Sequence, residues 1–359
     1  GRSFRCPNRS ARQQPSPRRC SGPVGPPAGM VATEQAAPAP LAKAHDIAYV
    51  RFSAPDLDRM EAFLRAFGLF RAKRTEDALY MRGAGSEGFL HATHRGEPAF
   101  LGLGMRVRSE ADVQALARLD GVPVAALDEP GGGVRAVLTD PDGVRVEAVY
   151  SPAAASVASG EPADWQAQRP DHGYNVARAQ PRLGVLGRVG PAGPSCVRRL
   201  GHCVMDVKDF RASEAWYKQR FGLITSDEVD VAKGRALGAF MRCDRGEGFA
   251  DHHTLFLVGS GKSAFGHAAF EVTNIDDLML GHFHLSKSSE ALGGKHRWGI
   301  GRHVLGNQVF DYWSDPWGFT LEHWTDGDQL NAAWGSRRGR SLAELMGTQW
   351  GPTVIGSRL

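Results

Sequence analysis

Two hydrophobic patterns recur along this chain. Short runs of branched and aromatic side chains read as strands, at His202–Val207, Thr254–Val258, His267–Val272, Val309–Trp313 and Phe319–Trp324. Between the first two lies Asp209–Arg220, an amphipathic helical stretch opened by an aspartate, and Asn274–Leu278 starts another helix in the same way. Asp315-Pro316-Trp317-Gly318 separates the last two strands as a turn, since proline fixes φ and glycine accepts a positive one. The resulting order, β-α-β-β-β, is expected twice within residues 198–330.

The same order precedes it. Phe67-Gly68-Leu69 follows a helical stretch over 56–66 and returns as Phe221-Gly222-Leu223. Met81-Arg82 with Gly88-Phe89 returns as Met241-Arg242 with Gly248-Phe249, and Ala99-Phe100 with Val107 as Ala264-Phe265 with Val272. Asp140-Pro141-Asp142-Gly143 with Glu147 returns as Asp315-Pro316-Trp317-Gly318 with Glu322. The order is kept and the spacing only grows, as loop insertions would make it. The expected class is therefore α+β, with two homologous domains over 45–150 and 198–330. Each would pair two β-α-β-β-β modules into an open barrel whose concave face can hold a site. Residues 1–44 and 151–197 are rich in Pro, Arg, Ala and Gly, and are expected to be a disordered extension and a linker. In the tail, 331–359, Ser341–Met346 reads as a short helix that packs on a domain or at a subunit interface.

With 42% hydrophobic and 23% charged residues the chain has globular composition, and no apolar run is long enough to span a membrane. The net charge of +4 draws heavily on arginines near the start, so no nucleic-acid partner is expected. The five cysteines lack disulfide or zinc-ribbon spacing, which fits a cytoplasmic protein with free thiols.

Histidine is distributed unevenly. Nine of the thirteen lie between 202 and 323. Aligning the halves sets His202 against Tyr49, His267 against Gly102, His253 against Thr93 and Glu322 against Glu147. One half thus keeps the scaffold without the histidines, so packing does not require them. Glu322 alternates with Leu321 on an apolar strand, where a carboxylate is costly unless paired or metal-bound. Two imidazoles and one carboxylate on neighbouring strands make a facial triad with open positions, a donor set suited to non-haem Fe(II). His91, His94, His172 and His323 are read as structural or surface residues.

Leu200-Gly201-His202, Asp251-His252-His253-Thr254, Gly266-His267-Ala268-Ala269-Phe270-Glu271-Val272, Gly301-Arg302-His303 and Leu321-Glu322-His323-Trp324 resemble type I extradiol dioxygenases. These are two-domain enzymes of the vicinal-oxygen-chelate superfamily, and the likeness covers about 45–330. It implies Fe(II), with Mn(II) the alternative, held by His202, His267 and Glu322. It implies catalytic roles for His253 as acid/base and for His303 and Tyr312 as contacts to oxygen or substrate. His252 stays open as the acid/base, because a one-residue slip exchanges strand faces. The implied reaction is ring cleavage of a catechol beside its hydroxyls by dioxygen, in aromatic catabolism, by a homo-oligomer. Gly281–Trp298 reads as an insertion, and Lys295, Arg297 and Arg302 could meet a substrate carboxylate. A glyoxalase-like isomerase on the same fold is the second reading; it would need another carboxylate near Thr254–Val258, where there is none.

Overall fold

The computed structural model describes residues 39–152 and 192–353; most of the expected extension and linker, with His172, lies outside them. The first half runs β1 (Ala44–Ala54), α1 (Leu57–Phe67), β2 (Phe70–Arg74), β3 (Ala78–Arg82) and β4 (His91–Arg95). It continues with β5 (Ala99–Val107), α2 (Glu110–Asp120), β6 (Val124–Ala126), β7 (Val134–Thr139) and β8 (Arg145–Tyr150). The second half repeats this as β9 (Val197–Val207), α3 (Phe210–Phe221), β10 (Ile224–Ala232), β11 (Arg235–Arg242), the short β12 (Ala250–Asp251) and β13 (Leu255–Gly259). Then follow β14 (Ala264–Val272), α4 (Ile275–Leu292), β15 (Lys295–His303), β16 (Val309–Ser314) and β17 (Thr320–Thr325). β18 (Gln329–Leu330) follows, and the tail adds β19 (Arg337–Ser341), α5 (Leu342–Met346) and β20 (Thr348–Trp350).

The repeated motifs have a common physical cause. Gly68 and Gly222, in the two Phe-Gly-Leu triplets, end α1 and α3 with φ of 108° and 63°, a conformation that favours glycine. Asp56 and Asp209 open the same helices by accepting backbone N–H bonds. In the two Asp-Pro-x-Gly turns, Asp140 accepts from the N–H groups of Asp142 and Val144, and Asp315 from those of Trp317 and Phe319.

Eight strands form one sheet in the order β2-β3-β4-β1-β5-β8-β7-β6, and ten form another, β19-β10-β11-β13-β9-β14-β17-β16-β15-β20. Residues alternate between the two faces of each strand. On β9, Cys203, Met205 and Val207 join the main hydrophobic core, while His202, Val204 and Asp206 line a cavity on the other face. That core runs through both halves: Phe52 packs against Phe265 and Phe319, and Phe67 against Phe270. His323 belongs to this seam, stacked on Phe67 with its Nε2 2.7 Å from the Phe67 carbonyl, which fits a structural role.

The structure refines three expectations. His202 and His267 sit inside their strands rather than at the first residue. Gly281–Trp298 is regular structure, the body of α4 and the start of β15, where the first half has the shorter α2 and β6. The tail does more than pack: β19 pairs with β10 and β20 with β15, at opposite ends of the ten-stranded sheet. The α5 segment between them contributes Leu342, Leu345 and Met346 to the cavity wall.

Candidate metal centre

His202, Ala269 and Glu322 form one rung across β9, β14 and β17, and His267 lies two residues before Ala269 on β14. The His202 and His267 Nε2 atoms are 3.3 Å apart, and each is 3.2 Å from Glu322 Oε2. Three donors with near-equal separations outline one face of a coordination polyhedron. Glu322 is fully buried, and neither of its carboxylate oxygens has a hydrogen-bond partner. A buried carboxylate left this way is costly unless a cation completes it. The residues present therefore fit a divalent metal ion.

The electrostatics agree. Burial alone would push the Glu322 carboxyl up, yet the adjoining imidazoles hold it below the usual carboxylate range. Burial lowers the His202 imidazole, against the opposing pull of Glu322. Burial takes His303 down to about 4, and takes His253 well down with help from the neighbouring His202.

The other expected residues gather around this point. Tyr312 is the cross-strand partner of Glu322, and its hydroxyl is 3.0 Å from His303 Nε2. The Tyr312 phenol is raised well above its ordinary value by burial and by the Glu322 charge. His253 packs on His202, with ring centroids 4.0 Å apart. His202, His253, His267, His303 and Tyr312 all line a cavity of about 830 Å³. Its remaining wall is largely apolar, with Phe240, Phe256 and Leu305 from the barrel and Leu342, Leu345 and Met346 from α5. The tail residues carried no chemical signal that sequence reasoning could use.

His252 does not line this cavity; it lies behind His253. Lys295 and Arg297 reach the cavity, whereas Arg302 turns away to Asn307 and Asp326. On β16, Asp311 faces opposite Tyr312 and takes hydrogen bonds from Trp313 and contacts from His282 and His296, at 2.6, 3.0 and 2.9 Å. This second histidine–carboxylate group was not anticipated as a unit, because its members come from α4, β15 and β16.

Known proteins place this chain in a family. The glyoxalase/bleomycin resistance protein/dioxygenase superfamily model matches residues 199–323. Metapyrocatechase 2 of Cupriavidus necator is 30% identical over 312 residues, covering 86% of this chain and 90% of that protein. The Mn(II)-bound glyoxalase of Novosphingobium aromaticivorans shares the fold at 21% identity and a TM-score of 0.65, over 87% of this chain and 92% of that one. Homoprotocatechuate 2,3-dioxygenase of Brevibacterium fuscum, in complex with 3,4-dihydroxyphenylacetate, does so at 17% identity and a TM-score of 0.64, over 85% and 87%. The fold is that of the vicinal-oxygen-chelate superfamily. Within it, this chain belongs to the type I extradiol dioxygenases.

Proposed function

We propose that this chain cleaves a catechol beside its two hydroxyls with dioxygen, using Fe(II) held by His202, His267 and Glu322. The observation that carries this reading is the triangle of donor atoms, 3.2 to 3.3 Å on each edge, around a buried carboxylate that no hydrogen bond satisfies. When bound there, iron supplies Lewis acidity that makes the catechol hydroxyls more acidic, and a redox path between ring and dioxygen.

The remaining work falls to side chains. His253, neutral in its buried place, takes a substrate proton on its free ring nitrogen and returns it as the ring opens. The Tyr312 hydroxyl and His303, already 3.0 Å apart, hydrogen-bond to negative charge that develops on oxygen. Phe240, Phe256 and Leu305 exclude water and hold the ring plane, with apolar side chains of α5 beside them. Phe256 and Val258 face the cavity from β13, where an isomerase of the glyoxalase type would need its further carboxylate.

The test is anaerobic loading with Fe(II), then exposure to air with a panel of catechols. Oxygen uptake with a yellow ring-opened product is expected for at least one of them. Iron-loaded protein that consumes no oxygen with any catechol contradicts the proposal. A parallel loading with Mn(II) decides which metal supports turnover.

A further inference from the structure

Behind His253 lies a chain of buried polar groups that the site described so far does not use. His252 Nδ1 is 3.1 Å from His253 Nδ1, and His252 Nε2 is 2.7 Å from Asp227 Oδ2. Asp227 is fully buried on β10, and His252 and His253 are nearly so. Arg337, brought in by the tail strand β19, donates to the same carboxylate oxygen.

These contacts permit one arrangement of protons between neutral rings. A carboxylate only accepts, so the His252 nitrogen facing Asp227 must carry the hydrogen. A ring that carries one hydrogen has an acceptor at its other nitrogen, here His252 Nδ1. The nitrogen it faces, His253 Nδ1, must therefore be the donor. His253 is left with Nε2 unprotonated, on the ring that lines the cavity.

We propose that Asp227 and His252 are positioning residues that fix the ring orientation and tautomer of His253, so that Nε2 is the basic atom presented to substrate. The proposal rests on His253 being the acid/base. It also separates the two adjacent histidines by role, His253 acting on substrate and His252 acting through it. Holding an imidazole in one tautomer with a buried carboxylate is a known route to large rate effects in serine proteases. Here the carboxylate acts through a second ring, and the tail brings the Arg337 guanidinium to the same oxygen.

The experiment reads tautomers directly. Long-range proton–nitrogen NMR of the full-length chain, free of paramagnetic metal, identifies which nitrogen of each histidine carries hydrogen, with His253→Gln assigning the signals. The expected wild-type result is hydrogen on Nδ1 of His253 and on Nε2 of His252. Hydrogen on Nε2 of resting His253 overturns the proposal without any variant. In the iron-loaded enzyme, His252→Phe keeps the ring volume but removes the acceptor. It is expected to lower kcat about 10- to 100-fold, with KM and iron content within about twofold. His252→Gln, whose amide oxygen can accept from Nδ1, is expected to recover part of that loss. Equal kcat in wild type and His252→Phe overturns the proposal, as does no difference between the Phe and Gln variants. A wild-type enzyme without catechol turnover instead removes the functional reading, and the NMR result still stands or falls alone.

Discussion

The two halves of the molecule meet the same physical problem and solve it differently. Each buries a glutamate at one rung of its sheet: Tyr49, Gly104 and Glu147 in the first, His202, Ala269 and Glu322 in the second. In the first half permanent protein charges neutralise the carboxylate. Arg51 lies 2.7 Å from Glu147, Arg145 2.8 Å and Arg135 3.2 Å, and the Tyr49 hydroxyl donates at 2.8 Å. At the place of His267 stands Gly102, where a Cβ would come within 2.2 Å of the Arg145 carbonyl oxygen. In the second half the matching carboxylate has two imidazoles, each 3.2 Å away, and no guanidinium beside it among the described residues. The difference teaches that the fold tolerates a carboxylate here only with a cation. One copy has built that cation into the chain; in the function proposed above, the other leaves the place to a metal ion.

The largest effect that would break this comparison comes from His202→Ala. It is expected to abolish iron retention and turnover together, measured as metal per chain and oxygen uptake. Unchanged metal content would mean that the triad is not the cation's seat. His253→Ala should retain iron yet lose turnover by about 100- to 10,000-fold, since it removes a proton acceptor and no ligand.

Arg51→Ala is the mirror-image experiment. It should leave iron binding intact and cost about 3 kcal/mol of stability in denaturant, at the low end for a broken buried pair because Arg135 and Arg145 remain. A variant as stable as wild type would show that Glu147 does not need its cation. Tyr312→Phe sharpens the catalytic side. It removes one hydroxyl beside His303 and is expected to slow kcat about tenfold with little change in stability.

The smallest effect expected is on acid stability. Burial would raise Glu147, but Arg51 and Arg145 hold it below its ordinary value of 4.5. A carboxyl depressed in the folded state contributes stability in full above about pH 4.5, and loses it as pH falls through its lowered value. Arg51→Ala should therefore lose less stability on acidification than wild type. Parallel acid profiles would contradict this.

Much of this was legible in the sequence because the duplication offers an internal control. The Phe-Gly-Leu and Asp-Pro-x-Gly repeats mark helix ends and hairpin turns, and the histidines stand out against a half that folds without them. What failed was bookkeeping across loops of different length. By strand register Leu255 matches His91, so His253 corresponds to Phe89 and not to Thr93. Phe89 stacks on Tyr49 as His253 packs on His202, with centroids 4.3 and 4.0 Å apart. Partners joined only by long-range pairing were equally hidden. Nothing in the local pattern ties Arg337 to Asp227 or places Leu345 over the cavity. Arg302 was grouped with Lys295 and Arg297 by proximity in sequence, but it adjoins the cavity-lining His303 on β15, and adjacent side chains of a strand take opposite faces.

The central claim is that one divalent cation sits among His202, His267 and Glu322. Anomalous X-ray scattering at the iron edge, from crystals of anaerobically loaded protein, tests it most directly. The account predicts a single strong peak within coordination distance of all three side chains, and none beside Glu147. A peak at His282, His296 and Asp311 alone, or no peak despite saturating iron, would contradict it.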